Sequence, residues 1–375
     1  MRAVIAAAGT GGHINPGIAI ANKIVEKEPD SEIIFIGTNR GLEKDLVPRA
    51  GYQLLPINAY GIKRSFSIQN LKNLYATYKS IGEAKRILEQ FKPDIVIGTG
   101  GYICIPAALA AKKLNIPIIL HESNAYPGVA VRMLKNKVNK ILVGFGDARE
   151  RLNNQKNVII TGNPIKIKKL DLSVEQKNKI KQGLNLSLDK PVVLAFGGSQ
   201  GAQSINRSLT EIIVNKKNKD YQLVWATGQE QYDVIKQELK KLNINIEDIE
   251  NVKLIPYIYN MEEVMNACDL VVSRSGAMTI TEVATVGKPA IFVPYPFATE
   301  NHQEYNARVL QGVGAAEIIL DSELNSEILN NTIENIVSNK SKLEQMGKNT
   351  QRVVNENVEE KIYTQIKGAL LKSIV

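Results

Sequence analysis

Several things are scarce in this sequence of 375 residues: two cysteines, three histidines and one tryptophan. Cys104 and Cys268 sit in apolar stretches and read as buried thiols of a reducing cytoplasm. No C-x-x-C, H-E-x-x-H or D-x-D occurs, so the sequence indicates neither a catalytic metal nor any other cofactor. The uncharged run Ile95 to Ala111 is interrupted by Gly98, Gly100, Gly101 and Pro106 and falls short of a bilayer span. The N-terminus enters a strand almost at once and lacks the cleavage pattern of a signal peptide. No low-complexity segment stands out, and no helix-turn-helix, zinc or aromatic-basic motif points to nucleic acid.

What is present is a composition of 44% hydrophobic and 23% charged residues, that of a globular protein with room for more than one core. Apolar runs suited to strands buried on both faces alternate with helical patterns. In the first half the strands are Val4 to Ala8, Ile33 to Gly37, Ile95 to Gly98, Ile118 to Leu120 and Ile141 to Gly144. Gly17 to Glu28, Leu71 to Gln90 and Pro106 to Leu114 read as helices between them. The second half repeats the pattern with Val192 to Phe196, Leu223 to Trp225, Val252 to Ile255, Leu270 to Val272 and Ala290 to Val293. The expected fold is α/β, with two doubly wound domains. The boundaries fall at 1–163, 164–350 and 351–375. The last piece is a helix whose stripe of Val358, Ile362, Ile366 and Leu370 has to pack against something, the first domain being the candidate.

A glycine-rich turn follows the first strand of each half: Gly9-Thr10-Gly11-Gly12-His13 and Gly197-Gly198-Ser199-Gln200-Gly201-Ala202. Such turns let backbone N–H groups approach a ligand, and a helix starting there favours a bound phosphate. Two of them suggest two facing domains with a charged substrate between. In the first turn Asn15 suits an N-cap and Pro16 the first helical position. Ile14 stands where the nicotinamide fingerprint needs its third glycine, which disfavours a dehydrogenase.

Net charge is +9, and it is unevenly spread: 22 Lys+Arg against 12 Asp+Glu through Ile165, then 25 against 26. Lys63 to Arg86 and Arg132 to Lys140 are the densest basic stretches. In the first, Ile62, Phe66, Leu71, Leu74, Tyr75, Tyr78 and Ile81 are interleaved with the cations. That composition suits an anionic membrane surface; a solvated helix face is the bland alternative.

All three histidines lie near predicted strand ends, where ligands collect in such sheets. His13 can serve as general base or as a structural hydrogen bonder, since neutral imidazole accepts a hydroxyl proton. His121 and His302 read as positioning residues. Glu282, in the helix opened by Arg274-Ser275-Gly276-Ala277-Met278-Thr279, can accept two hydrogen bonds from a ribose diol or simply complement the helix dipole. Asn301 and Glu304 resemble a capping box, which puts His302, Gln303 and Asn306 on the first turns of another helix.

Together these segments resemble the MurG family of glycosyltransferases. The residues that carry the likeness are Gly9 to His13, Gly98-Thr99-Gly100-Gly101-Tyr102, His121-Glu122-Ser123-Asn124-Ala125-Tyr126-Pro127-Gly128, Gly162-Asn163-Pro164, Gly197 to Ala202 and Arg274 to Glu282, in the family's order across the chain. The resemblance implies a GT-B fold of two facing Rossmann-like domains. It also implies inverting, metal-independent transfer of N-acetylglucosamine from UDP-N-acetylglucosamine to undecaprenyl-diphosphate-linked muramyl-pentapeptide, in peptidoglycan synthesis at the cytoplasmic face of the membrane.

By the same likeness Ser199 meets the donor phosphates, Ile258 borders uracil through its backbone and Glu282 holds the ribose. Ala277, Met278 and Thr279 supply helix-start contacts. Gln303 and Asn306 read the sugar, with His302 the alternative to Gln303. Asn124 and the turn Thr10, Gly11, Gly12 approach from the first domain. Lys166 stands where the family often has arginine, and offers one ammonium instead of a fork. His13 is the expected base, with Glu282 or a water relay as alternatives. Other readings of the same pattern are a diacylglycerol glycosyltransferase, a UDP-sugar 2-epimerase, and a non-catalytic UDP-binding protein at membranes.

Overall fold

A computed structural model describes residues 1–60, 68–198, 201–249 and 251–371, with side chains given from residue 76 onward in the helix that begins at Ile68. The chain forms two compact units, Met1–Lys166 with Asn355–Val375, and Ile167–Val354.

The first unit is built on strands β1 (Arg2–Ala6), β2 (Glu32–Gly37), β3 (Gln53–Pro56), β4 (Ile95–Gly98), β5 (Ile118–Glu122), β6 (Lys140–Val143) and β7 (Val158–Ile160). They pair in the order β3-β2-β1-β4-β5-β6-β7, every pairing parallel. Parallel strands need crossovers that cover both faces. Accordingly Val4, Ala6 and Ala8 enter one buried cluster while Ala3, Ile5 and Ala7 enter another on the opposite face.

Helices α1 (Gly11–Lys27), α2 (Glu43–Arg49), α3 (Ile68–Phe91) and α4 (Cys104–Lys113) supply the first crossovers. The C-terminal helix Val358–Leu371 packs on α1, burying Ile362, Ile366 and Ala369, with Val358 and Leu370 at the margin. Glu28, just past α1, fastens it by accepting from Tyr363 at 2.7 Å and Lys367 at 2.8 Å.

The second unit holds β8 (Val192–Phe196), β9 (Gln222–Ala226), β10 (Val252–Ile255), β11 (Leu270–Ser273), β12 (Ala290–Phe292) and β13 (Ala316–Ile318), ordered β10-β9-β8-β11-β12-β13 and again parallel. Each sheet reverses its strand order once, between β1 and β4 and between β8 and β11. Loops leave in opposite directions there and open a crevice at the carboxyl ends.

Two local expectations are corrected. Helix α1 starts at Gly11, with Thr10 as N-cap, so Asn15 and Pro16 lie inside it instead of opening it. Asn301 adopts a left-handed conformation, φ 56°, and its amide reaches the Glu304 side chain instead of a backbone N–H, so there is no capping box. Strands β3, β7 and β13 were not among the expected strands. Among the described residues no helix is long and apolar enough to cross a membrane.

Candidate active site

In the first unit the register sets Ala6 opposite Gly98, so the turns after β1 and β4 are neighbours. Gly9 (φ 99°), Gly100 (φ 122°) and Gly101 (φ 81°) adopt conformations that a side chain would strain. His13, on the first turn of α1, points back under this pair of turns. Its Nδ1 lies 3.1 Å from the Ala8 carbonyl, which can only accept, so Nδ1 carries the proton and Nε2 keeps a free lone pair. Nε2 has no partner among the described residues. Burial holds His13 below the usual imidazole value, while the Ala8 hydrogen bond and the charge of Glu43 pull upward. A neutral imidazole at ordinary pH follows. The Thr99 hydroxyl donates to the His13 carbonyl at 2.8 Å and ties the turns together. Cys104 lies beneath them, its Sγ accepting from Gly100 N at 3.3 Å, and burial pushes its thiol up to about 12.

The segment after β5 is organised by Glu122. Its carboxylate accepts from Asn124 N at 2.9 Å, Asn124 Nδ2 at 3.1 Å and Gly128 N at 2.7 Å. Asn163 reaches in from the other side, donating to the Ser123 carbonyl at 3.0 Å. His121 is fully buried, with Nε2 donating to Gly162 O at 3.3 Å and Nδ1 accepting from Ser123 Oγ at 3.4 Å; burial lowers it to about 4. These contacts lock the His121 to Gly128 and Gly162 to Pro164 segments into one support. Thr10 is exposed at the start of α1, Gly11 and Gly12 are half-buried, and Lys166 is exposed at the end of the unit.

In the second unit the glycine turn after β8 is sterically obligatory. A side chain on Gly197 would meet Ala202 N at 2.2 Å, and one on Gly201 would meet Thr227 O at 2.0 Å. Asn206 braces it, donating to Thr227 O at 2.9 Å and accepting from Trp225 Nε1 at 2.9 Å. Ser199, expected at the donor phosphates, lies outside the described residues, as does Gln200.

Across the switch point Arg274 is fully engaged by Asp321 (2.5 Å), Ser204 (2.9 Å) and the carbonyls of Val293 and Pro294. It is thus a brace between loops. The helix Ala277–Val286 opens at Gly276 without a side-chain cap, which leaves the first-turn N–H groups of Ala277, Met278 and Thr279 pointing out of its positive end. Beside them the Ser275 hydroxyl is buried with no partner among the described residues.

Glu282 lies on the second turn of that helix. It makes no hydrogen bond or ion pair among the described residues, and burial raises it to about 7. Gln303 uses its side-chain carbonyl to accept from Ser275 N at 3.2 Å and Tyr295 N at 3.0 Å, and its NH₂ has no partner among the described residues. Asn306 is fully buried and donates to Ser275 O at 3.2 Å. His302 turns Nδ1 to the Thr299 carbonyl, 2.7 Å away. The Ile258 side chain is buried. Thus the structure gathers residues 275–282, Gln303 and Asn306 into one cluster, and gathers Thr10 to His13 with the β4 turn into another. The motif reading passed over the bracing groups Glu43 and Asn206, and gave Glu122 no role of its own.

Two parallel sheets in this order, each with a glycine turn and an open helix start at its switch point, form a two-domain fold of the GT-B type. The N-terminal domain of glycosyltransferase family 28 matches residues 3–143 and its C-terminal domain residues 192–362. A protein of Acetivibrio thermocellus named UDP-N-acetylglucosamine--N-acetylmuramyl-(pentapeptide) pyrophosphoryl-undecaprenol N-acetylglucosamine transferase is 42% identical over 99% of this chain and 98% of its own length. The crystal structure of Acinetobacter baumannii MurG superposes with a TM-score of 0.77 at 26% identity, covering 98% of this chain and 99% of that one. A putative UDP-N-acetylglucosamine 2-epimerase from Listeria monocytogenes, at 15% identity and TM-score 0.69 over 97% of this chain and 95% of its own, shares the fold alone. The chain belongs to the MurG family.

Proposed function

We propose that this enzyme transfers N-acetylglucosamine from UDP-N-acetylglucosamine to the 4-hydroxyl of the muramyl sugar in undecaprenyl-diphosphate-linked muramyl-pentapeptide, with inversion, in peptidoglycan synthesis. The observation that carries this reading is the 42% identity to a transferase of that name, sustained across both units.

In the proposed reaction the acceptor oxygen bonds to the anomeric carbon as its proton passes to His13 Nε2. The bond from that carbon to the diphosphate breaks, and its electron pair leaves with UDP. The unprotonated Nε2 and the neutral ring fit His13 for this step. Glu282 accepts from the ribose diol, and the Ser199 turn with the Ala277 helix start meets the diphosphate charge. Ile258 borders uracil. Gln303, with its NH₂ left to donate, reads the sugar, while Asn306 and His302 hold the loops around it. Asn124, Lys166 and the Thr10 to Gly12 turn serve the acceptor side.

The acceptor's polyprenyl chain requires a membrane, and an anionic surface fits the first unit. Exposed Tyr78 on α3, and exposed Val129 and Met133 on helix Val129–Leu134, accompany Lys79, Lys112, Lys113 and Lys137; α4 packs against both α3 and that short helix. Labelled UDP-N-acetylglucosamine incubated with and without the lipid acceptor, read by mass spectrometry, tests the proposal. A disaccharide-lipid formed only with that acceptor supports it. Reaction with diacylglycerol, or epimerised donor without acceptor, overturns it.

A further inference from the structure

Glu43 is a fully buried carboxylate with no place in the reaction just described. It opens α2, 34 residues after Gly9, and its two oxygens accept three hydrogen bonds: Gly9 N at 3.0 Å on Oε2, and Thr38 N at 3.1 Å and Thr38 Oγ1 at 2.5 Å on Oε1. The chain makes room for it with two glycines. A Cβ on Gly37 would lie 2.9 Å from Glu43 Cγ, and one on Gly41 would lie 2.1 Å from Oε2.

The Gly9 N–H that Glu43 holds and the Ala8 carbonyl that His13 Nδ1 addresses are the two ends of one peptide group. That peptide is trans, so its N–H and C=O point in opposite directions, with the carboxylate at one end and the imidazole at the other. A negative charge at the N–H end drives electron density toward the carbonyl oxygen, which strengthens it as acceptor for Nδ1–H. Gly101 completes the cradle, since a Cβ there would crowd Ala8 O at 2.7 Å.

We propose that Glu43 is a positioning residue for the transfer, acting on His13 through the Ala8–Gly9 peptide. It holds the tautomer that leaves Nε2 bare and stabilises the imidazolium as the proton arrives. This is the task that a carboxylate performs when bonded directly to a catalytic histidine, carried here across a peptide. Its consequence for pH dependence rests on few groups. Among the described residues the charged group acting on the ring is Glu43 from α2, and the thiol of Cys104 from α4, beyond Gly100, is neutral.

The inference rests on His13 being the base, and the experiments separate the two. Imidazole ¹⁵N spectra of the wild-type protein at neutral pH are expected to show the Nδ1–H tautomer of His13. Finding the Nε2–H tautomer overturns the inference, with no variant needed. Glu43→Gln keeps the volume and removes the charge. Its kcat is expected to fall on the order of tenfold with the donor KM unchanged, and the acid limb of its kcat/KM profile to move to lower pH, because the imidazolium has lost its stabilising charge. A loss of activity with the limb unmoved assigns Glu43 a purely structural role and overturns the inference. If His13→Ala abolishes turnover while Glu43→Gln behaves as wild type, Glu43 is excluded and the base reading stands. Turnover retained by His13→Ala removes the base, and the relay with it.

Discussion

The imidazole of His13 occupies the space that a side chain on Gly100 would need: a Cβ there would lie 2.3 Å from Cδ2 and 3.0 Å from Nε2. Gly100 also holds φ at 122°, which costs any other residue about 1–3 kcal/mol. Gly100→Ala should therefore displace the ring, lowering kcat roughly ten- to a hundredfold. Because the expected donor contacts lie on the second unit, UDP affinity by calorimetry should stay at the wild-type value. Wild-type kcat in this variant would show that the ring's position is immaterial.

His121 couples folding to acid. Its ordinary pKa of 6.5 falls to about 4 in the fold, so below pH 6.5 the unfolded chain binds a proton that the folded one refuses. Stability present above pH 6.5 is therefore lost as pH drops toward 4, by up to about 3 kcal/mol. Urea unfolding at pH 7.5 and 4.5 measures the loss. His121→Gln should be less stable at pH 7.5, because it disturbs the Gly162 and Ser123 contacts, yet show a shallower decline into acid. An equal slope would assign the acid sensitivity to other groups.

The proposed membrane face predicts a charge-dependent partition. Lys85 is paired with Glu89 at 3.2 Å, so the informative cations are exposed Lys79, Lys113 and Lys137. At about 1 kcal/mol for each cation near an anionic surface, the triple change to glutamine should weaken sedimentation with anionic vesicles by up to roughly a hundredfold. Turnover on a short-chain soluble acceptor should be unaffected. Unchanged vesicle binding would leave the patch as an ordinary solvated face.

Strands buried on both faces were legible because double burial writes a continuous apolar run, as in Ile95 to Gly98 or Val192 to Phe196. Strands β3, β7 and β13 are edge strands, short and half-exposed; β3 and β13 carry no such run, and that of β7 is only Val158 to Ile160. The glycine turns were visible for the same local reason. The start of α1 was misplaced because Pro16 suits a first helical position, whereas the fold sets it one turn further in. Glu43 was invisible as a functional residue. In sequence it is a first-turn carboxylate like many others, and its role arises only when the sheet sets Gly9 beside it; the sole local trace is the glycine pair that makes its space.

The proposed ribose contact of Glu282 would join donor binding to stability, with opposite signs. Burial raises its carboxyl from 4.5 to about 7, so between those values the fold keeps a proton that the unfolded chain releases. Stability therefore declines as pH rises from about 4.5 to 7 and is flat above, a total of up to about 3 kcal/mol. Glu282→Gln removes this dependence, and its unfolding midpoint should exceed that of the wild type at pH 8, with the gap closing toward pH 5. Donor affinity should move the other way. A diol donates best to the carboxylate, so UDP should bind wild type more tightly as pH passes 7. The glutamine variant should bind it about tenfold more weakly at pH 8, with little pH dependence, since a hydrogen bond to a charged group is worth about 1.5–3 kcal/mol. Calorimetric titration of UDP at pH 6 and 8 in both proteins decides it. A variant that gains stability while keeping full affinity would mean that the buried carboxylate does not touch the ribose.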